Sequence, residues 1–165
     1  MRVLGLAGWS GAGKTTLIAR LIPVLAARGV TVSTIKHAHH GFDLDVPGKD
    51  SWRHREAGAA QVLVAGGARW ALLTELRGAA EPPLEVLLAR LDPVDLVLVE
   101  GFRGATHPRI EVHRAANGQA WRWPDDPLIR AVASDSPPPP GAPEWLPLDD
   151  IAAIATAALR LAAPV

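Results

Sequence analysis

Residues 2–16 read RVLGLAGWSGAGKTT, and this stretch decides the fold. RVLGLA (2–7) is a short apolar run that predicts a buried strand. Gly8 to Thr15 then fit G-x-x-x-x-G-K-[ST], with Thr16 following. The glycines let the backbone turn so that successive N–H groups converge on phosphate oxygens. The helix expected next aims its positive end at the same anion. Leu17, Ile18, Leu21, Ile22 and Leu25 recur at helical spacing, and Gly29 stops the helix. Strand, glycine loop and helix together predict a phosphate-binding loop for a nucleoside triphosphate. Its candidate residues are Gly8, Trp9, Ser10, Gly11, Ala12, Gly13, Lys14, Thr15 and Thr16. Lys14 reaches the β- and γ-phosphates, and the Thr15 hydroxyl ligates Mg²⁺. Trp9 and Ser10 either contact a ligand or partner or are ordinary packed or exposed residues.

Outward from the loop, apolar runs alternate with helical patterns, which predicts an α/β chain of crossover units. Pro23 falls inside the first helix and should strain it. VTVSTIK (30–36) alternates as a second strand. Asp50 or Ser51 is placed to cap a short helix through about Ala57. QVLVAG (61–66) and WALLTEL (70–76) predict a β-hairpin around Gly66-Gly67. Pro82 and Pro83 open a helix through Leu91. DLVLVEG (95–101) is the clearest buried strand. RIEVHR (109–114) alternates, with Gln119 to Trp123 expected to pair with it across Asn117-Gly118. LIRAVAS (128–134) is a further strand. Four prolines at 137–140 form a connector, and Ile151, Ile154, Ala155, Ala158 and Leu161 mark a closing amphipathic helix. The expected fold is α/β, a P-loop NTPase fold with a mostly parallel central sheet, flanking helices and a β-hairpin region, in one domain spanning 1–165.

A phosphate loop needs an acidic residue near its metal ion, normally at the end of a neighbouring strand. Glu100 closes DLVLVEG and is the candidate. It binds Mg²⁺ through water, orients a nucleophilic water, or is a strand-end carboxylate without a metal role. Aspartate is usual there, and the longer side chain points to indirect metal contact or slow hydrolysis. Asp43, Asp45 and Asp50 follow the second strand, where a loop can cross the mouth of the site. Asp50 is the first choice for a metal and catalytic role, with helix capping as the alternative. Lys14, Glu100 and Asp50 form the catalytic set. Lys36, His37, His39 and His40 form a cluster that reads as a transition-metal site, as a rim contacting a phosphorylated or pterin-like ligand, or as solvated loop. Ser134 and Asp135 follow a late strand, where ligands sit in open α/β sheets. A carboxylate there accepts from N1–H and the exocyclic amine of guanine, a donor pair that adenine lacks. Asp135 is therefore the candidate guanine reader; the alternative is a turn residue.

Lys+Arg and Asp+Glu both number 17 in the 165 residues, so no overall charge draws the chain to nucleic acid or anionic lipid. Cysteine is absent, which excludes disulfides and thiolate chemistry and suits a reducing compartment. No stretch reaches the roughly 18 apolar residues of a membrane span. A cytoplasmic location is expected.

Four segments together resemble one family: GWSGAGKTT (8–16), TIKHAHHGFDLDVPGKDSWRHREAGA (34–59), DLVLVEGFRGATHPRIEVHR (95–114) and AVASD (131–135). They are similar to the molybdopterin-guanine dinucleotide biosynthesis protein B family. The resemblance implies a GTP-binding adapter with weak GTPase activity. It implies work beside the guanylyltransferase that joins GMP to molybdopterin, and binding or passing on of molybdopterin or molybdopterin-guanine dinucleotide. It also implies a homodimer with an extended sheet and exchanged elements. Gly8 to Thr16 match the family's phosphate and Mg²⁺ positions, with Asp50 and Glu100 near the metal. Lys36, His37 and Arg53 fall in the loop that contacts cofactor or partner. Two other readings are a small-molecule kinase, with Arg53 and Arg55 over the transferred phosphate, and a metallochaperone GTPase using the histidines.

Overall fold

Period-two alternation decides how the chain covers its central sheet. In β1 (Arg2–Ala7) Leu4 and Leu6 point to one face and Val3 to the other. In β5 (Leu96–Glu100) Leu96 and Leu98 join the first face, Val97 and Val99 the second. A strand covered on both sides reads as a continuous apolar run, as both do. The computed structural model describes residues 1–38 and 41–165. His39 and His40, which enter the histidine reading, lie outside the described residues. Two compact units form, Met1–His37 with Leu84–Val165, and Ala38–Pro83.

The first unit is built on a seven-stranded sheet. Its strands include β2 (Val32–Lys36), β6 (Arg109–His113), β7 (Ile129–Ser134) and β8 (Glu144–Pro147). The order is β2-β5-β1-β6-β7-β8, parallel throughout, and β9 (Ala163–Pro164) pairs antiparallel with the start of β1. Helices α1 (Lys14–Ala27) and α4 (Ile151–Leu161) cover one face. Leu21, Leu25 and Ile154 there are fully buried, and truncating one such side chain to alanine costs about 2–5 kcal/mol. Asp150 starts α4 by accepting from Ala153 N–H at 2.9 Å. The short helix α3 (Leu84–Leu88) covers the other face through Leu84 and Leu88. It ends three residues before the expected Leu91.

In the second unit, α2 (Asp50–Glu56) packs on the hairpin of β3 (Gln61–Ala65) and β4 (Trp70–Thr74). Neither Asp50 nor Ser51 caps α2. Lys49 holds the cap position without a side-chain bond, and Ser51 Oγ instead donates to Asp45 Oδ1 at 2.7 Å. Arg55 ties the preceding loop to the helix by two bonds to Asp43, at 2.7 and 3.1 Å.

The pairing expected between Gln119–Trp123 and β6 is not made. Both edges of β6 are taken, by β1 and by β7, so no edge remains. Residues 115–117 and 123–125 form 3₁₀ turns instead. Among the described residues, no helix is long and apolar enough to cross a membrane.

His107 packs its ring against Gly5 in β1, 6% exposed, with neither ring nitrogen hydrogen-bonded. Burial lowers its pKa to about 4; Arg109 adds to the shift, while Asp126 and Glu85 oppose it. The unfolded chain therefore binds this proton and the folded chain does not between pH 6.5 and about 4. Stability is fully present above 6.5 and falls as the pH drops through that window, by on the order of 2–3 kcal/mol. Urea denaturation of His107→Leu across pH 4–7 should show a shallower acid limb than the parent.

Candidate functional site

β1 delivers the chain into Gly8, whose φ of 141° and approach to the Val112 carbonyl suit only glycine; a Cβ would lie 2.5 Å from that oxygen. Trp9 and Ser10 continue the turn, and Ala12 is buried beneath it, its N–H bonded to Trp9 O. Gly11 and Gly13 also have positive φ. Gly13 is the N-cap of α1, so it offers no side chain to the helix, and no acidic residue stands in the first turn. The first-turn N–H groups, including those of Lys14, Thr15 and Thr16, lack the side-chain partner that helix starts usually have.

Lys14 Nζ folds back to donate to the Gly8 and Trp9 carbonyls, both at 2.9 Å. Burial lowers its pKa, Glu100 opposes that shift, and Arg103, Arg122 and Lys36 reinforce it. Thr15 Oγ1 stands 2.9 and 3.1 Å from the two Glu100 carboxylate oxygens. Lys36 Nζ lies 4.0 Å from the same carboxylate, which is 14% exposed. The structure thus gathers Lys14, Thr15, Glu100 and Lys36. His37 follows directly, with its N–H on Glu100 O at 2.8 Å and its ring 4.8 Å from Phe102.

Phe102 has a left-handed φ of 49°, a costly conformation of the kind found beside functional sites. Arg109 holds this turn. Its guanidinium is buried, paired with Asp126 at 2.6 Å and bonded to the carbonyls of Arg103 and Ala105.

Ser134 ends β7, two strands from β1 in the sheet, and Asp135 follows it. The buried Ser134 hydroxyl is engaged with Ser136 O and Trp145 Nε1. Exposed Asp135 accepts from Ala115 N–H through Oδ1 at 2.9 Å. Asp50 and Arg53 belong to the second unit, on α2, and both are exposed there. Arg55, read as a lid arginine in the kinase alternative, is committed to Asp43 and lies 3.6 Å from Glu75. Among the described residues, no group of three or more His, Cys, Asp or Glu could hold a metal ion.

Sequence reasoning missed the segment after β6. The polar face of β6 is buried; Arg109 holds the turn before the strand, and Glu111 and His113 secure chain that follows it. Glu111, fully buried, accepts from Arg122 and Trp123 N–H at 2.8 and 2.9 Å; burial raises its pKa. His113 approaches Gln119 O at 3.1 Å and stacks on Trp121 at 3.8 Å. The segment so held reaches the glycine loop. Asn117 donates to Ser10 O, Trp9 Nε1 donates to Ala120 O at 2.8 Å, and Arg122 sits over the Trp9 ring at 4.9 Å. The one available signal was the polar alternation of RIEVHR beside strand β1.

A parallel sheet whose central strand runs through a glycine loop into an uncapped helix, with a carboxylate ending the adjacent strand, is a P-loop NTPase fold. The chain belongs to the molybdopterin guanine dinucleotide synthesis protein B family, whose model matches residues 3–135. It is 47% identical over 141 residues to the molybdopterin-guanine dinucleotide biosynthesis adapter protein of Escherichia coli (strain K12), covering 82% of this chain and 79% of that one. The adapter protein of Haemophilus influenzae is 49% identical over 137 residues, covering 82% and 75%. A crystal structure of molybdopterin-guanine biosynthesis protein B superposes with a TM-score of 0.76 at 29% identity, over 96% of this chain and 99% of that one.

Gly101 has φ 99°, and a Cβ there would meet His37 Cβ at 2.6 Å. Gly101→Ala should therefore destabilise the fold by about 1–3 kcal/mol, read as a lower urea midpoint at unchanged m-value.

Proposed function

We propose that this protein is a GTP-binding adapter in molybdopterin-guanine dinucleotide biosynthesis, with slow Mg²⁺-dependent hydrolysis of the γ-phosphate. The observation that carries the reading is the uncapped start of α1 ringed by Lys14, Thr15 and Glu100. Family membership supports the adapter role. Its output is assistance to the guanylyltransferase that joins GMP to molybdopterin, or delivery of the finished cofactor.

The donor set suits magnesium. Thr15 Oγ1 and the Glu100 carboxylate are hard oxygen ligands close together, and Mg²⁺ favours one or two such groups completed by water and phosphate. Bound there, the ion would neutralise charge on the phosphates. Asp50 remains a proposed contributor from α2. Lys14, whose ammonium is bonded to the Gly8 and Trp9 carbonyls, is the proposed contact for the outer phosphates. Asp135 reads guanine with its second carboxylate oxygen, the first being held by Ala115. Lys36 and His37, with Arg53, are proposed contacts for molybdopterin or the dinucleotide.

A homodimer is part of this reading. One face of the β3–β4 hairpin carries Leu63, Trp70 and Leu72, which are 61%, 64% and 43% exposed. Unpartnered apolar faces of this kind are interaction surfaces.

Calorimetric titration with non-hydrolysable GTP and ATP analogues should show GTP binding at least ~10-fold tighter, about 1.4 kcal/mol. Lys14→Ala should abolish binding, and Asp135→Asn should remove most of the preference for guanine. Preference for ATP would sink the guanine assignment. Light scattering should give a dimer mass for the parent and a monomer for Trp70→Lys/Leu72→Lys; a dimer in both would place the interface elsewhere.

A further inference from the structure

Arg122 is a cation that the fold fixes beside the glycine loop and leaves with an unsatisfied donor. Its main-chain N–H is fixed on Glu111, a fully buried carboxylate. Its guanidinium carbon lies 4.9 Å from the ring centroid of Trp9, the second residue of the glycine loop. The Nη1 atom is buried and, among the described residues, has no hydrogen-bond partner. Buried charged donors without partners are rare and unfavourable, so a group that supplies an acceptor is expected nearby.

The position identifies the acceptor. Lys14 Nζ rests on the carbonyls of Gly8 and Trp9, which marks that end of the loop as the outer-phosphate end. Arg122 rests on the same Trp9. Lys36, Arg103 and Arg122 all act on Lys14, and Glu100 is the carboxylate that opposes them. That surplus of positive charge matches a multiply charged anion. A guanidinium also has the fork geometry for two phosphate oxygens.

We propose that Arg122 binds the terminal phosphate of a nucleoside triphosphate seated on the glycine loop, and so distinguishes triphosphate from diphosphate. This rests on the nucleotide reading given above. The arginine is supplied in cis by the segment after β6, not by a partner. The 3₁₀ turn at 115–117 and the Asn117 bond to Ser10 O brace that segment against the loop.

The test is calorimetric titration of the parent protein, Arg122→Ala and Arg122→Gln, with Mg²⁺ and either guanosine 5′-(β,γ-imido)triphosphate or GDP. Because the Glu111 contact uses the main chain, both variants keep it; thermal melts check the fold, and glutamine retains most of the packing stem. Loss of the charged contact should weaken the triphosphate by about ten- to a hundredfold and leave GDP within about twofold. Equal weakening of both nucleotides, or no weakening of either, overturns the role of Arg122 alone. A parent protein that binds neither nucleotide overturns the phosphate-loop reading, and this inference with it.

Discussion

Leu6 stands opposite Glu100 in the parallel ladder between β1 and β5, and this register places everything else at the site. A parallel pairing brings strand ends together, so the turn that leaves β1 and the carboxylate that closes β5 emerge side by side. A slip of one residue would reverse the faces of Leu96 to Val99 and carry Glu100 out of reach of Thr15. Core and site are therefore specified by the same hydrogen bonds. The apolar alternation that fills both faces of the sheet also sets the distance from Thr15 to Glu100.

On its other edge β1 meets β6, which works differently. Ile110 and Val112 join the main core, while Arg109, Glu111 and His113 point to the opposite face and are buried as well. Such a face is tolerable only where its residues find partners. Each residue finds at least one in the loops and 3₁₀ turns around it: Arg109 in the 102–105 turn, Glu111 at Arg122 and Trp123, His113 at Gln119 and Trp121. The polar face of β6 thus substitutes for a helix. It orders two loops that frame the glycine turn.

This division explains what could be read from the sequence. The glycine turn, the strands that flank it and α1 are local patterns, and local patterns declare themselves through spacing and chemistry. Glu100 was legible because strand-end acids are expected beside such a turn. The hairpin at 61–74 was legible from Gly66-Gly67. The segment at 115–126 was not, because its conformation is set by contacts with β6 and the loop. RIEVHR resembles a half-exposed hairpin strand until β1 and β7 occupy its edges. The edge strand β8 was hidden by its short length and flanking prolines. Ser51 fits the capping rule in sequence, but the helix starts at Asp50 with Lys49 at the cap, which leaves Ser51 inside the first turn, where its hydroxyl donates to Asp45.

Helix α1 begins at a glycine with no side-chain cap and no acidic first turn. Most helices complete that end with their own residues. This one is an open valence, and an anion seated there finishes the helix as well as the site. Occupancy and folding are then linked by mass action: a ligand at a hundred times its dissociation constant would add about 2.7 kcal/mol to stability. A chain with an emptied loop would be more exposed to proteolysis and turnover than a filled one. If a nucleotide fills the loop as proposed, its supply would govern how much of this protein persists.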